Sequence, residues 1–130
     1  MKIDHIGYAV RDIEKAKSAF EFLGYTFGET TQDLMRNVAI AFGQHGGCRV
    51  ELVARIDTDR SSAVDTYLSE IGPTPYHLCY ASDDMEADLA ALRQNAFKLL
   101  NPPTPAPAFG GKCVAFLYHL GVGLVEVVER

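Results

Sequence analysis

Asp4-His5-Ile6-Gly7-Tyr8-Ala9 returns 72 residues later as Tyr76-His77-Leu78-Cys79-Tyr80-Ala81. From these two stretches the correspondence spreads outward at the same offset and without a gap. Asp12 answers to Asp84, Ile13-Glu14 to Met85-Glu86, Ala19-Phe20 to Ala91-Leu92, and Tyr25 to Phe97. Chance explains a few such matches but not this many at one spacing. A chain that repeats itself in this way is expected to fold as two copies of one supersecondary unit.

Each copy reads as strand, helix and hairpin. Residues 3–10 are β-rich. Asp12 follows as a helix N-cap, its side-chain oxygen able to accept an otherwise unpaired backbone N–H. Ile13, Ala16, Phe20 and Leu23 fall on one helical stripe, and Gly24 suits the left-handed position that closes a helix. The second copy repeats this with Asp84 as cap and Met85, Leu89, Leu92 and Ala96 as stripe. Strands are predicted over 37–42 and 49–54, joined by the glycine-rich turn Gly43-Gln44-His45-Gly46-Gly47. Their counterparts are 112–118 and 123–128, joined across Leu120-Gly121. The expected class is α+β, with βαβββ modules at 1–54 and 74–130. A linker at 55–73 contains a short helix near 63–71, and the whole of 1–130 forms one domain.

The composition bounds what such a domain can do. With 130 residues, 48% of them hydrophobic, the chain can bury a core without disulfides. A net charge of -5 argues against nucleic acid, whose binding needs basic surface. No apolar run reaches the roughly 20 residues that span a bilayer, and the strand-like start argues against a signal peptide. Three cysteines (Cys48, Cys79, Cys113) without CxxC spacing fit neither a disulfide scaffold nor a thiolate metal site, so a reducing cytoplasm is expected.

The repeat also duplicates chemistry. His5 and His77 stand at equivalent places in the first strand of each half. The last strand of each half carries one carboxylate among apolar neighbours, Glu51 in Arg-Val-Glu-Leu-Val and Glu126 in Leu-Val-Glu-Val-Val. The offset carries Glu51 to position 123, three short of Glu126, and an insertion in the proline-rich loop would restore register. A lone strand histidine is commonly a hydrogen-bonded core residue, and a lone strand glutamate commonly faces solvent. Both types occurring twice, at equivalent places, point instead to a shared cation, which removes the penalty of burying carboxylates. Two imidazoles and two carboxylates suit Zn, Ni, Co, Mn or Fe.

These residues resemble the vicinal oxygen chelate (glyoxalase/bleomycin resistance/dioxygenase) superfamily. The likeness runs through residues 3–12, Val50-Glu51-Leu52-Val53, Tyr76-His77-Leu78-Cys79-Tyr80 and Gly123-Leu124-Val125-Glu126-Val127. It implies paired modules forming a curved mixed sheet around a central cleft, with one divalent metal held by His5, Glu51, His77 and Glu126. It also implies a homodimer. Methylmalonyl-CoA epimerase-like and glyoxalase I-like members are nearest. Tyr8-Ala9-Val10 and the loop Pro102-Pro103-Thr104-Pro105-Ala106-Pro107-Ala108-Phe109-Gly110-Gly111 are epimerase-like, and the glutathione-holding arginine of glyoxalase I would fall on Ala9. Glu51, by contrast, is glyoxalase-like, since epimerases commonly have glutamine there. The catalytic glutamate of the epimerases would fall on Ala39.

The implied activity is metal-assisted proton transfer beside a carbonyl or acyl thioester, by an isomerase, epimerase or lyase. Glu126 is the expected base, and Glu51 is the group returning a proton to the opposite face. A glyoxalase I-type lyase and a small-molecule sequestering protein without turnover are the alternatives. A ferrous dioxygenase is disfavoured by the second carboxylate. The partner is a small molecule, such as an acyl thioester. Among other residues, His45 is expected solvated in its turn, and His119 at the surface or the cleft mouth. Cys79 is expected as core packing near the His77 face. Arg49, on the Glu51 face, is open to an acidic substrate group or a surface salt bridge. The proline-rich loop is read as a cover or as an extended connector.

Overall fold

The computed structural model describes all residues from Met1 to Arg130. Ten strands and three α-helices form a mixed sheet that is not closed into a barrel. The elements run β1 (Lys2–Ala9), α1 (Ile13–Phe22), β2 (Thr26–Phe27), β3 (Thr31–Asp33), β4 (Val38–His45), β5 (Cys48–Arg55) and α2 (Asp65–Glu70). They continue as β6 (Thr74–Ser82), α3 (Met85–Gln94), β7 (Lys98–Leu99), β8 (Thr104–Pro105), β9 (Cys113–His119) and β10 (Gly123–Glu129). No helix is long and apolar enough to cross a membrane. Two compact units are distinguished, the first His5–Tyr76 and the second Met1–Asp4 with His77–Arg130.

In the first unit the strand order is β2-β4-β5-β1. β1 runs parallel to β5 with Gly7 opposite Glu51, and β4 and β5 form an antiparallel hairpin with Phe42 opposite Glu51. β3 pairs with the start of β4. Helix α1 forms because Asp12 Oδ1 accepts from Lys15 N at 3.0 Å and because its apolar stripe has a sheet to cover. Ala16 and Phe20 pack with Val10, Ile13, Ala41, Leu52 and Ala54. It stops at a Schellman closure: Gly24 N donates to Glu21 O and Tyr25 N to Phe20 O, both at 3.0 Å, with Gly24 at φ +101°.

The hairpin corrects the sequence reading. The turn is not five residues long. Strand β4 continues through Gly43, Gln44 and His45, and only Gly46 and Gly47 turn, both at positive φ as a type I′ hairpin requires. Gly43 is a strand glycine because Phe27 fills the space beside it: a Cβ there would overlap the Phe27 ring. Asn37, expected to start the strand, is instead a buried left-handed hub at φ 57°. Its side-chain amide donates to Asp57 O and Arg60 O at 3.0 Å, and its oxygen accepts from Asp57 N at 2.8 Å. The segment leading to α2 is pinned in this way. Helix α2 is tied down further by Arg11, which donates to Leu68 O at 2.6 Å, and by an Arg55–Asp65 ion pair at 3.3 Å.

The second unit repeats the plan with strand order β6-β10-β9-β7. β10 runs parallel to β6, Glu126 opposite Cys79, and antiparallel to β9, Glu126 opposite Phe116. Asp84 Oδ1 accepts from Ala87 N at 3.1 Å, as the repeat predicts. Ala96 does not belong to the helical stripe. Helix α3 ends at Gln94, and Ala96 sits at φ 65° in the place that Gly24 holds in the first unit. Phe97 N still donates to Leu92 O at 3.1 Å. The core under α3 is Leu89, Ala115, Leu117 and Val127, with Leu92, Phe97 and Leu99 against it.

Register explains the missing three residues. The offset is 72 at the helix caps, 74 where Phe42 answers to Phe116, and 75 where Glu51 answers to Glu126. Two residues therefore enter between Leu99 and Cys113, in the proline-rich segment. The third enters the β9–β10 turn, which has three residues where β4–β5 has two.

Candidate metal centre

Strand alternation puts His5 and Gly7 on one face of β1 and Tyr8 and Val10 on the other, where α1 packs. Parallel partners point the same way, so Glu51 shares the face of Gly7 and His5. His5 Nε2 lies 3.3 Å from Glu51 Oε2, with the two residues only 1% and 3% exposed. The ring of Phe42, opposite Glu51, meets His5 edge to face at 5.4 Å and 72°. The second unit builds the same half-site. His77 Nε2 lies 3.2 Å from Glu126 Oε2, both buried, and Phe116 meets His77 edge to face at 5.6 Å and 85°.

The spacing of the donors suits a divalent ion. Adjacent ligands with bonds of about 2.0–2.2 Å, at right-angle to tetrahedral angles, lie roughly 2.8–3.6 Å apart. Both His–Glu pairs meet this spacing, and both present the nitrogen and carboxylate oxygen that a borderline divalent cation takes. Each pair is also walled by an aromatic ring, which keeps water from screening its charge.

The structure brings His5 to Glu51 and His77 to Glu126, each within one unit. It does not bring Ala39 to either pair. Ala39 lies on the opposite face of β4, packed against the cluster under α1. The residues of β4 on the Glu51 face are Val38, Ile40, Phe42 and Gln44, so no residue type at position 39 would present a proton-transfer group there. His119 is likewise excluded from a cleft mouth on the ligand face. It stacks on Phe97 at 4.6 Å on the side of β9 that faces the core of α3, and its Nδ1 accepts from Gly121 N at 3.0 Å. His45, though exposed, is not merely solvated in a turn. It ends β4 and tilts over Tyr25 at 5.4 Å.

Sequence reasoning missed that all four histidines obey the repeat, His45 with Tyr25 as His119 with Phe97. The signal was present in the offset of 74 between the two histidines. The thiol of Cys48 beside Tyr25 hydrogen-bonds the phenol and raises its pKa above the ordinary value, with burial adding to the effect. Cys79 packs with Ala106, Val114 and Val128 as a small core residue, and none of the three cysteines is in a disulfide. The proline-rich segment is not an extended connector. It coils into a 3₁₀ turn at Pro107–Phe109, closed by Gly110 at φ 65°. Ala106 and Phe109 then pack on Cys79, Val114 and Phe116, the face of the second unit that carries His77 and Glu126.

The sequence profile of the Glyoxalase/Bleomycin resistance protein/Dioxygenase superfamily matches residues 4–116. The chain belongs to this superfamily. The chain is 31% identical over 119 residues to the uncharacterized protein YqjC of Bacillus subtilis, covering 89% of this chain and 81% of that protein. It is 26% identical over 131 residues to the mitochondrial methylmalonyl-CoA epimerase of Bos taurus, covering 98% of this chain and 74% of that protein. Among solved structures, a hypothetical protein of Bacillus halodurans C-125 superposes with a TM-score of 0.84 at 26% identity, covering 99% of this chain and 94% of that one.

Proposed function

We propose that this superfamily member is a metal-dependent epimerase, moving a proton on the carbon beside the carbonyl of an acyl thioester. The observation that carries the reading is the duplicated buried His–Glu pair, at 3.3 Å and 3.2 Å, in a chain similar to methylmalonyl-CoA epimerases. His5, Glu51, His77 and Glu126 would together hold one divalent ion. Such an ion supplies Lewis acidity, which makes a proton beside a carbonyl easier to remove.

Epimerisation needs a proton acceptor on one side of the reacting carbon and a donor on the other. The faces of β4 and β5 offer no acid beyond Glu51, because Val38, Ile40, Phe42 and Val53 surround it there. The two carboxylates therefore divide the work. Glu126 accepts the proton and Glu51 returns one to the opposite face. A carboxylate has two oxygens, so holding one in place beside a histidine leaves the group able to take a proton on the other.

A lyase acting on a glutathione hemithioacetal is the second reading, favoured by the acid rather than amide at Glu51. Against it stands Ala9, which is fully buried and opposite Val53, where a glutathione-holding arginine would be needed. The proposal extends to a homodimer, consistent with the nearly complete exposure of Phe22 and Leu120, and is checked by sedimentation equilibrium. The activity is tested in deuterated buffer with acyl thioesters and with the hemithioacetal. The metal-loaded protein should exchange the α-proton of a thioester, and Glu126→Gln should not. Turnover of the hemithioacetal alone would replace the epimerase reading with the lyase, and no exchange on any substrate would leave a binding protein.

A further inference from the structure

Where the first strand of each unit ends, the two copies differ in charge. The offset of 72 carries Arg11 to Asp83, and the offset of 75 carries Arg55 to Arg130. Both pairs continue a parallel ladder, that of Ala9 with Val53 in the first unit and of Ser82 with Glu129 in the second. In the second unit the two side chains meet: Arg130 Nη1 donates to the oxygens of Asp83 at 2.8 and 3.1 Å. In the first unit the same two places hold two arginines. Both line one groove of about 550 Å³, a volume within the range of small-molecule sites. Arg11 donates to Leu68 O at 2.6 Å, and Arg55 pairs with Asp65 at 3.3 Å. No other hydrogen bond or ion pair engages either guanidinium, each of which carries five N–H donors. Asp65 is committed on its other oxygen, which accepts from Ser62 N at 2.8 Å. Two guanidinium charges thus share one carboxylate, in a chain whose net charge is -5. Thr58 and Thr66 add hydroxyls to the groove, and Val10 and Leu68 give it an apolar wall.

We infer that Arg11 and Arg55 form a binding site for a small molecule that carries an oxyanion, a carboxylate or a phosphate. The second unit shows what these two positions do when one of them is acidic: the fork of the arginine closes on the carboxylate of its own chain. With arginine at both, the matching acid has to come from a ligand. A guanidinium takes two oxygens of such a group in parallel, and charge-assisted bonds of this kind are among the strongest that a protein surface makes. The oxyanion would also offset the repulsion between two cations that line one groove. Neither His5 nor Glu51 lines the groove, so the site does not depend on the metal centre or on the epimerase reading.

The test is a titration of the full-length protein with inorganic phosphate and with acetate, followed by amide chemical shifts at an ionic strength held constant with chloride. Saturable shifts are expected at Val10 and Leu68. Tighter binding of phosphate would assign the site to a phosphate-bearing ligand, and tighter binding of acetate to a carboxylate; either result supports it. Arg55→Gln should weaken the tighter anion by at least about tenfold. Arg11→Asp copies the second unit, supplies the carboxylate from within, and should abolish binding in a chain that still folds by circular dichroism. Should Arg11→Asp not fold, Arg55→Gln and the partial rescue by Arg55→Lys decide alone. The inference is overturned if neither anion gives saturable shifts, if chloride alone gives the same ones, or if the shifts fall only at Gly7 and Phe42 on the metal face. It is equally overturned if folded Arg11→Asp or Arg55→Gln binds the anion as the wild type does.

Discussion

In the first unit Phe27 lies over Gly43; in the second the same two strand positions hold Leu99 and Leu117. A large residue over none has become two of middle size, and the helix still packs on its sheet. The helix closures differ in the same spirit, with Gly24 at φ +101° in one and Ala96 at φ 65° in the other. The His–Glu pairs, however, have kept their separation to within 0.1 Å, at 3.3 and 3.2 Å, with an edge-on phenylalanine in each. Packing has drifted between the copies while the donor geometry has not. Such a contrast is expected where volume can be shared among neighbours but ligand positions cannot.

Changes at the conserved feature should have the largest effects. Glu126→Gln should lower α-proton exchange by at least about 100-fold, the scale of general-base catalysis, measured by deuterium uptake. Glu51→Gln should break the symmetry differently. Exchange from one epimer should persist with retained configuration, while its conversion to the other epimer, followed on a chiral column, is lost. Equal loss of both processes in the two variants would show that the halves share one role.

The packing difference predicts smaller effects. Gly43→Leu places a side chain where Phe27 already lies and should destabilise the chain by about 1–3 kcal/mol in urea denaturation. Phe27→Leu in the same chain should recover part of it, with a coupling of about 0.5–3 kcal/mol. Additivity of the two changes would deny the exchange of volumes. At the helix ends Gly24→Ala should cost about 1–2 kcal/mol, since both its φ and the His45 ring at 2.9 Å oppose a Cβ. Ala96→Gly should instead stabilise, by about 0.5–1 kcal/mol, because it removes the strain of a left-handed alanine.

Much of this was legible in the repeat. Asp12 and Asp84 announced two helices, and the histidine and glutamate pairs stood at equivalent strand positions. What the sequence left open were features in which a residue's surroundings override its local meaning. Gly43 reads as a turn residue until Phe27 is seen beside it. Ala96 reads as helix until the chain turns left-handed there. Ala39 reads as a missing base until the pleat of β4 turns it toward α1, a distinction of one residue in register that decides the face of every side chain on a strand. The three-residue shift between Glu51 and Glu126 was visible as a number, but its division between a loop and a hairpin turn emerged only from strand pairing.

The central claim is that two equivalent half-sites serve one cation, and equilibrium titration with Zn or Co tests it most directly. The account predicts one ion per chain, with His5→Ala and His77→Ala each weakening binding by about tenfold or more, as loss of part of a shared ligand set requires. Two independent ions per chain, or a histidine variant that binds metal as the wild type does, would contradict it.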